Sequence, residues 1–185
     1  MGGRQFEKGE TMKRILMAVL AMVLIIVVAE SGLAQGNPRG TAKISLGGKT
    51  ISVEYGRPSL KGRSVADMLQ QLKPGDFWRL GADKSTTFST AADLQFADVT
   101  VPNGEYSLWA QRGADNSWKL VFNKQHGQWG MQHDTSLDLA FVPLKESKAS
   151  NSAEMVTISL TKQGAGAVIA IQWGEMKLNA NFKVK

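Results

Sequence analysis

The chain has 185 residues, no cysteine, two histidines and a formal net charge of +6. Without cysteine there are no disulfides, thiol nucleophiles, thiolate zinc sites or iron–sulfur clusters. The positive charge is moderate and scattered, with no basic stripe interleaved with aromatics, so no nucleic-acid partner is expected.

The chain opens with a polar stretch and then Met12-Lys13-Arg14, which precede the apolar run Ile15 to Ala29. Glu30 ends that run, and Gly32 and Ala34 put small residues before a cut after Ala34. A basic start, a short apolar run and small residues are the layout of a secretory signal. A membrane-spanning helix takes roughly 20 apolar residues, and this run is shorter. Residues 1–34 therefore read as an N-terminal extension and cleaved signal peptide. Membrane contact is expected only through that segment during export. With no cysteine at the cut there is no lipid anchor. An exported domain without disulfides points to a bacterial envelope protein, periplasmic or secreted.

Residues 35–185 have the length of one ordinary domain. Ile44 and Leu46 begin a strand, and Ile51, Val53 and Tyr55 carry the next after a Gly47-Gly48 turn. Val65, Met68, Leu69 and Leu72 then recur at helical spacing, with Ser64 as N-cap, Asp67 at the third helical position and Pro74-Gly75 as the stop. Short strands follow near Thr86–Thr90 and Leu94–Val101. Tyr106, Leu108 and Ala110 alternate with polar neighbours, as do Trp118, Leu120 and Phe122, and residues 112–116 join the two as a hairpin loop. Leu137, Leu139 and Phe141 form one inward set. Val156, Ile158 and Leu160 pair with Ile169, Ile171 and Trp173 across a turn holding Gly164 and Gly166. After Gly174-Glu175 comes the clearest alternation: Met176, Leu178, Ala180, Phe182 and Val184 inward, with Lys and Asn between them. The fold expected is all-β: an antiparallel β-sandwich, jelly-roll or immunoglobulin-like, of about nine or ten strands with one short inserted helix.

Four blocks are more specific than strand alternation requires. They are Tyr55-Gly-Arg57-Pro58 running to Gly62-Arg63, Trp78-Arg79-Leu-Gly81-Ala-Asp83, Pro102-Asn-Gly104-Glu-Tyr106-Ser-Leu, and Trp118 through Asn123 to Trp129-Gly130. In this order they resemble the bacterial domain-of-unknown-function family 2911 (DUF 2911), over nearly all of residues 38–184. Two positions depart from the family pattern. Asp83 stands where asparagine is usual, and His133 where an aromatic is common. The resemblance implies an exported or envelope-associated protein and supplies no established activity.

The chemistry must come from the residues. Arg57, Arg63 and Arg79 present planar forks suited to carboxylates and phosphates. They fit an anion or sugar-acid site floored by Trp78, or, as the plainer reading, a set of loop-bracing arginines. Trp109 lies on the strand phase opposite Tyr106 and Leu108, which points it outward, and Trp129 sits in a loop; Trp118 and Trp173 fall on inward phases. The histidines, His126 and His133, share that loop at no standard zinc spacing, and no Gly-x-Ser-x-Gly elbow occurs. Solvent-facing histidines are the plainer reading of the loop.

The candidate ligand-binding residues are Arg57, Arg63, Trp78, Arg79, Asp83, Trp129 and His133, with loops gathered at one end of the sandwich; no catalytic residue, metal or cofactor is assigned. The expected protein is a ligand-binding or structural module meeting envelope polysaccharide or a small acid. The alternative is an envelope hydrolase on a glycan or small acidic substrate, using His133 with Asp134 or Asp83.

Overall fold

Ten antiparallel strands and one short α-helix build the described part, residues 36–185, of the computed structural model. The expected signal segment, 1–34, and Gln35 lie outside the described residues. The strands are β1 (Arg39–Leu46), β2 (Lys49–Gly56), β3 (Phe77–Trp78), β4 (Thr87–Thr90), β5 (Leu94–Phe96), β6 (Val99–Val101), β7 (Gly104–Arg112), β8 (Trp118–Asn123), β9 (Asp138–Gln163) and β10 (Gly166–Val184). Helix α1 (Val65–Leu69) is inserted between β2 and β3. The strands hydrogen-bond in the order β1-β2-β4-β7-β8-β9-β10-β5-β6, with β3 attached to β7. The architecture is the all-β one that alternation predicts, an open, sandwich-like sheet.

The sheet curls until its far end faces its middle. Phe88 of β4 meets Phe122 of β8 at 5.3 Å, Phe122 meets Phe96 of β5 at 5.5 Å, and Phe96 meets Phe182 of β10 at 5.1 Å. These rings join the two layers through one apolar interior. Leu178, Ala180 and Phe182 are buried on the predicted phase. Ile158 stands opposite Ile171 and Leu160 opposite Ile169, so the predicted pairing of that hairpin is observed.

The β9–β10 hairpin is too long to stay in one plane. The register shifts on either side of Gly174, which adopts φ 57°. A Cβ there would lie 2.8 Å from Val65 Cγ2, so the bend needs glycine both for its backbone and for the packing of α1. Beyond the bend the hairpin is tied to the first block. Tyr55 donates its hydroxyl to the Ile158 carbonyl at 3.2 Å, and Arg57 Nε donates to the Val156 carbonyl at 3.3 Å. The backbones of 58–60 and 154–156 exchange two further bonds, Val156 N–H to Pro58 and Leu60 N–H to Glu154. Ser59 Oγ donates to Glu154 Oε1, which also accepts from the Lys61 N–H at 2.8 Å.

The third block is a tyrosine corner: Tyr106 donates back to the Pro102 carbonyl at 3.0 Å across the bend into β7. Helix α1 carries the predicted cap, with the Asp67 N–H donating to Ser64 Oγ at 3.0 Å.

Two readings of strand phase differ in the structure. Leu137 lies in a 3₁₀ turn (Thr135–Leu137) and Phe141 is 40% exposed, while Ala140, Val142 and Leu144 are buried. The turn feeds the chain into β9 on the opposite phase. Trp109 is 5% exposed rather than outward. Strand β7 is central, and the segment after β8 covers its second face, so both phases are apolar.

Hydrogen bonds from Ser59 and then Lys61 hold the Glu154 carboxyl below its ordinary value. A depressed carboxyl stabilises the fold above its unfolded value, about 4.3, and loses that contribution as pH falls through the folded value. The melting temperature of wild type should therefore fall on acidification from about pH 4.3 downward. Glu154→Gln should melt lower at neutral pH and show a shallower acid fall, and a pH series of melting temperatures checks both.

Candidate functional site

Three tryptophans form the floor of the region. Trp78 of β3 stacks on Trp173 of β10 at 5.8 Å and an interplanar angle of 13°, and meets Trp118 of β8 edge-on at 6.4 Å. All three are less than one-tenth exposed. The stack covers one face of Trp78 and one face of Trp173. Trp173 Nε1 is buried and has no hydrogen-bond partner. An orphaned buried donor costs roughly 1–3 kcal/mol unless an acceptor reaches it.

The chain after Trp78 is held in an unusual shape. Leu80, fully buried, has φ 54°, and Asp83 has φ 62°. A left-handed backbone is rare for a bulky apolar residue, and such conformations collect where function fixes them. Thr86 Oγ1 braces the turn by donating to the Leu80 carbonyl at 3.2 Å. Arg79 projects from this turn, and Gly130 presses on it: a Cβ at 130 would stand 3.3 Å from Arg79 Cδ. The ion pairs among the described residues are His126–Glu105, His133–Asp138 and Lys148–Glu175. Arg79 is in none of them, and within the described residues its guanidinium donates to no protein acceptor.

The loop 124–137 closes the other side. Asn123, fully buried, holds its base: Nδ2 donates to the Asp134 carbonyl at 2.8 Å and to Asp138 Oδ1 at 2.7 Å, while Oδ1 accepts from the Gln125 N–H at 2.8 Å. His133 Nε2 lies 2.8 Å from Asp138 Oδ1, with side-chain exposures of 9% and 4%. The imidazole stacks on Trp109 at 4.2 Å and 11°, and Phe77 meets it edge-on at 4.4 Å.

These parts line one cleft of about 670 Å³, walled by Met68, Leu72, Phe77, Trp109, Met131 and the Trp78–Trp173 pair, with Arg79, Asp76 and His133 as its charged or titratable groups. That size and lining suit a small molecule. Among the described residues no three His, Asp or Glu side chains gather as metal ligands would.

Of the residues singled out from sequence, Trp78, Arg79 and His133 are brought together here. The segments of Arg57–Arg63 and Trp78–Asp83 are neighbours, since Gly56 and Ala82 touch and Pro58 lines the same cleft. The two remaining guanidiniums point elsewhere. Arg57 is spent on Val156 and Thr157 of β9. Arg63 donates to the Leu60 and Ser59 carbonyls and lines a second cleft on the other side of Leu69. Asp83 accepts from the Asn37 backbone at 3.0 Å, and its carbonyl from Gly130 at 2.7 Å. Trp129 is 54% exposed beside the cleft, its backbone bridged to Lys84. His133 is not solvent-facing, because the loop folds inward onto Trp109; its carboxylate is Asp138, neither Asp134 nor Asp83.

Residues 37–182 match the family described as Protein of unknown function (DUF2911). The chain belongs to DUF2911. No curated protein and no solved structure matched it. The four blocks that carry the DUF2911 pattern divide by role. The first ties β2 to the bent hairpin and the third is the tyrosine corner, while the second and fourth supply Arg79 and the loop of His133.

Asn123→Ala removes the amide that holds the loop base and strands buried partners. It should cost about 1–3 kcal/mol in denaturant unfolding and speed proteolytic cutting within 124–137, read by mass spectrometry of the fragments.

Proposed function

We propose that this DUF2911 chain is an exported ligand-binding module whose cleft takes a small acid, such as a sugar acid or an acidic unit of an envelope polysaccharide. One observation carries the reading. The Arg79 guanidinium, a strong donor with no protein acceptor among the described residues, lines an aromatic-walled cleft that Trp173 also borders. Arginine's planar fork matches a carboxylate. The apolar walls would exclude water from that bond. Export rests on the sequence of residues 12–34, whose charge and apolar pattern is that of a cleaved leader.

A second reading, a hydrolase on a small acid or glycan, is favoured by the His133–Asp138 pair. A carboxylate-held imidazole is the arrangement of a general base. In that case the free ring nitrogen takes a proton from water as its oxygen attacks the acyl carbon, and returns it to the leaving group. Turnover of a uronic acid ester, abolished in His133→Phe, would support it; binding without turnover supports the module.

Thermal-shift titration of the mature domain tests the leading reading. Uronic acids should raise the melting temperature by mass action, neutral sugars should not, and Arg79→Ala should weaken binding by roughly 10-fold or more. A shift retained in Arg79→Ala overturns the site. Terminal sequencing of protein recovered from a bacterial periplasm should find Gln35 first, marking cleavage after Ala34.

A further inference from the structure

His133 adds a third kind of contact to the cleft. Its Nε2 faces Asp138 Oδ1 at 2.8 Å. That oxygen also accepts from Asn123 Nδ2 at 2.7 Å, so Asp138 acts as an acceptor toward both neighbours. A carboxylate acceptor places the neutral imidazole's proton on Nε2 and leaves the lone pair on Nδ1. The ring has no room to turn over: Trp109 lies flat on one face and the Phe77 edge closes against it. Nδ1 has no protein partner among the described residues. The sealed, unpartnered side-chain atoms belong to Gln125, Gln128 and Trp173, and Nδ1 is not one of them. His133 borders the cleft, and with Nε2 turned to Asp138 the other ring nitrogen is the acceptor left for it.

The cleft so holds one unpartnered donor and one fixed acceptor. A plain carboxylate is acceptor only and answers the donor alone. We infer that the ligand is a hydroxy acid: a molecule whose carboxylate meets Arg79 and whose hydroxyl donates to His133 Nδ1. The inference rests on the reading of the cleft as an acid site and narrows it to acids carrying a hydroxyl within reach, as a uronic acid does. Asp138 and Asn123 act as positioning residues, holding the imidazole as an acceptor. A site that offers a directed acceptor discriminates against analogues lacking the donor, because its own group is then left unpaired.

The test compares two probes of similar size on the mature domain by calorimetric titration: methyl glucuronide and cyclohexanecarboxylate. Wild type should bind the glucuronide roughly 10-fold more tightly. In His133→Phe, which keeps a flat ring on Trp109 but offers no acceptor, that ratio should fall towards one. His133→Phe with Asp138→Asn removes the carboxylate charge left unpaired by the first change and gives the same readout if the single variant fails to fold. Equal binding of the two probes by wild type overturns the inference while leaving the acid site standing. A preference that survives in the variants overturns it as well. If neither acid binds, the acid-site reading fails and this inference falls with it.

Discussion

The cleft depends on where β10 bends. Gly174 interrupts the ladder to β9, and the residue before it, Trp173, is delivered beneath Trp78. Move the bend by one position and the side-chain phase inverts, turning the indole to the opposite face. The stacked pair fixes β3, β3 fixes the left-handed turn after it, and that turn aims Arg79. Two elements distant in sequence are thus locked by one aromatic contact, and the donor that the contact seals in is left without a protein acceptor.

The rest of the molecule is arranged to hold that geometry from outside. The first family block clamps the far half of the hairpin through backbone carbonyls. The tyrosine corner secures the start of β7, against which β3 lies. Asn123 anchors the loop that brings His133 over Trp109. Most of the residues that stand out in the sequence therefore work as braces, and the few that face the cleft are precise because the braces are many. Arginine serves both purposes here: Arg57 and Arg63 end on carbonyls, while Arg79 finds no protein acceptor within the described residues.

Much of this was legible in the chain. Alternation gave the strands from 156 to 184 with their inward residues, because each has one wet face and a uniform period. The blocks around Arg79 and His133 stood out, because such residues are not needed to fill strands. What could not be read was anything that depends on a second face being covered. Trp109 alternates as if exposed, and only the fold-back of 124–137 buries it. Phe141 alternates as if inward, and a 3₁₀ turn shifts the phase without a mark in the spacing. The spacing carries no sign of Asp138 as the partner of His133, because their meeting depends on the register of β8 against β9, where Asn123 stands opposite Asp138.

The clamp between Tyr55 and Ile158 closes 103 residues of chain. Loops of that size are slow to shut, since the search is completed before any burial rewards it. A domain stitched in this way forms its cleft late. Until the bent hairpin docks, β2 and the aromatic floor stay open to solvent, and in that interval a chaperone would find them.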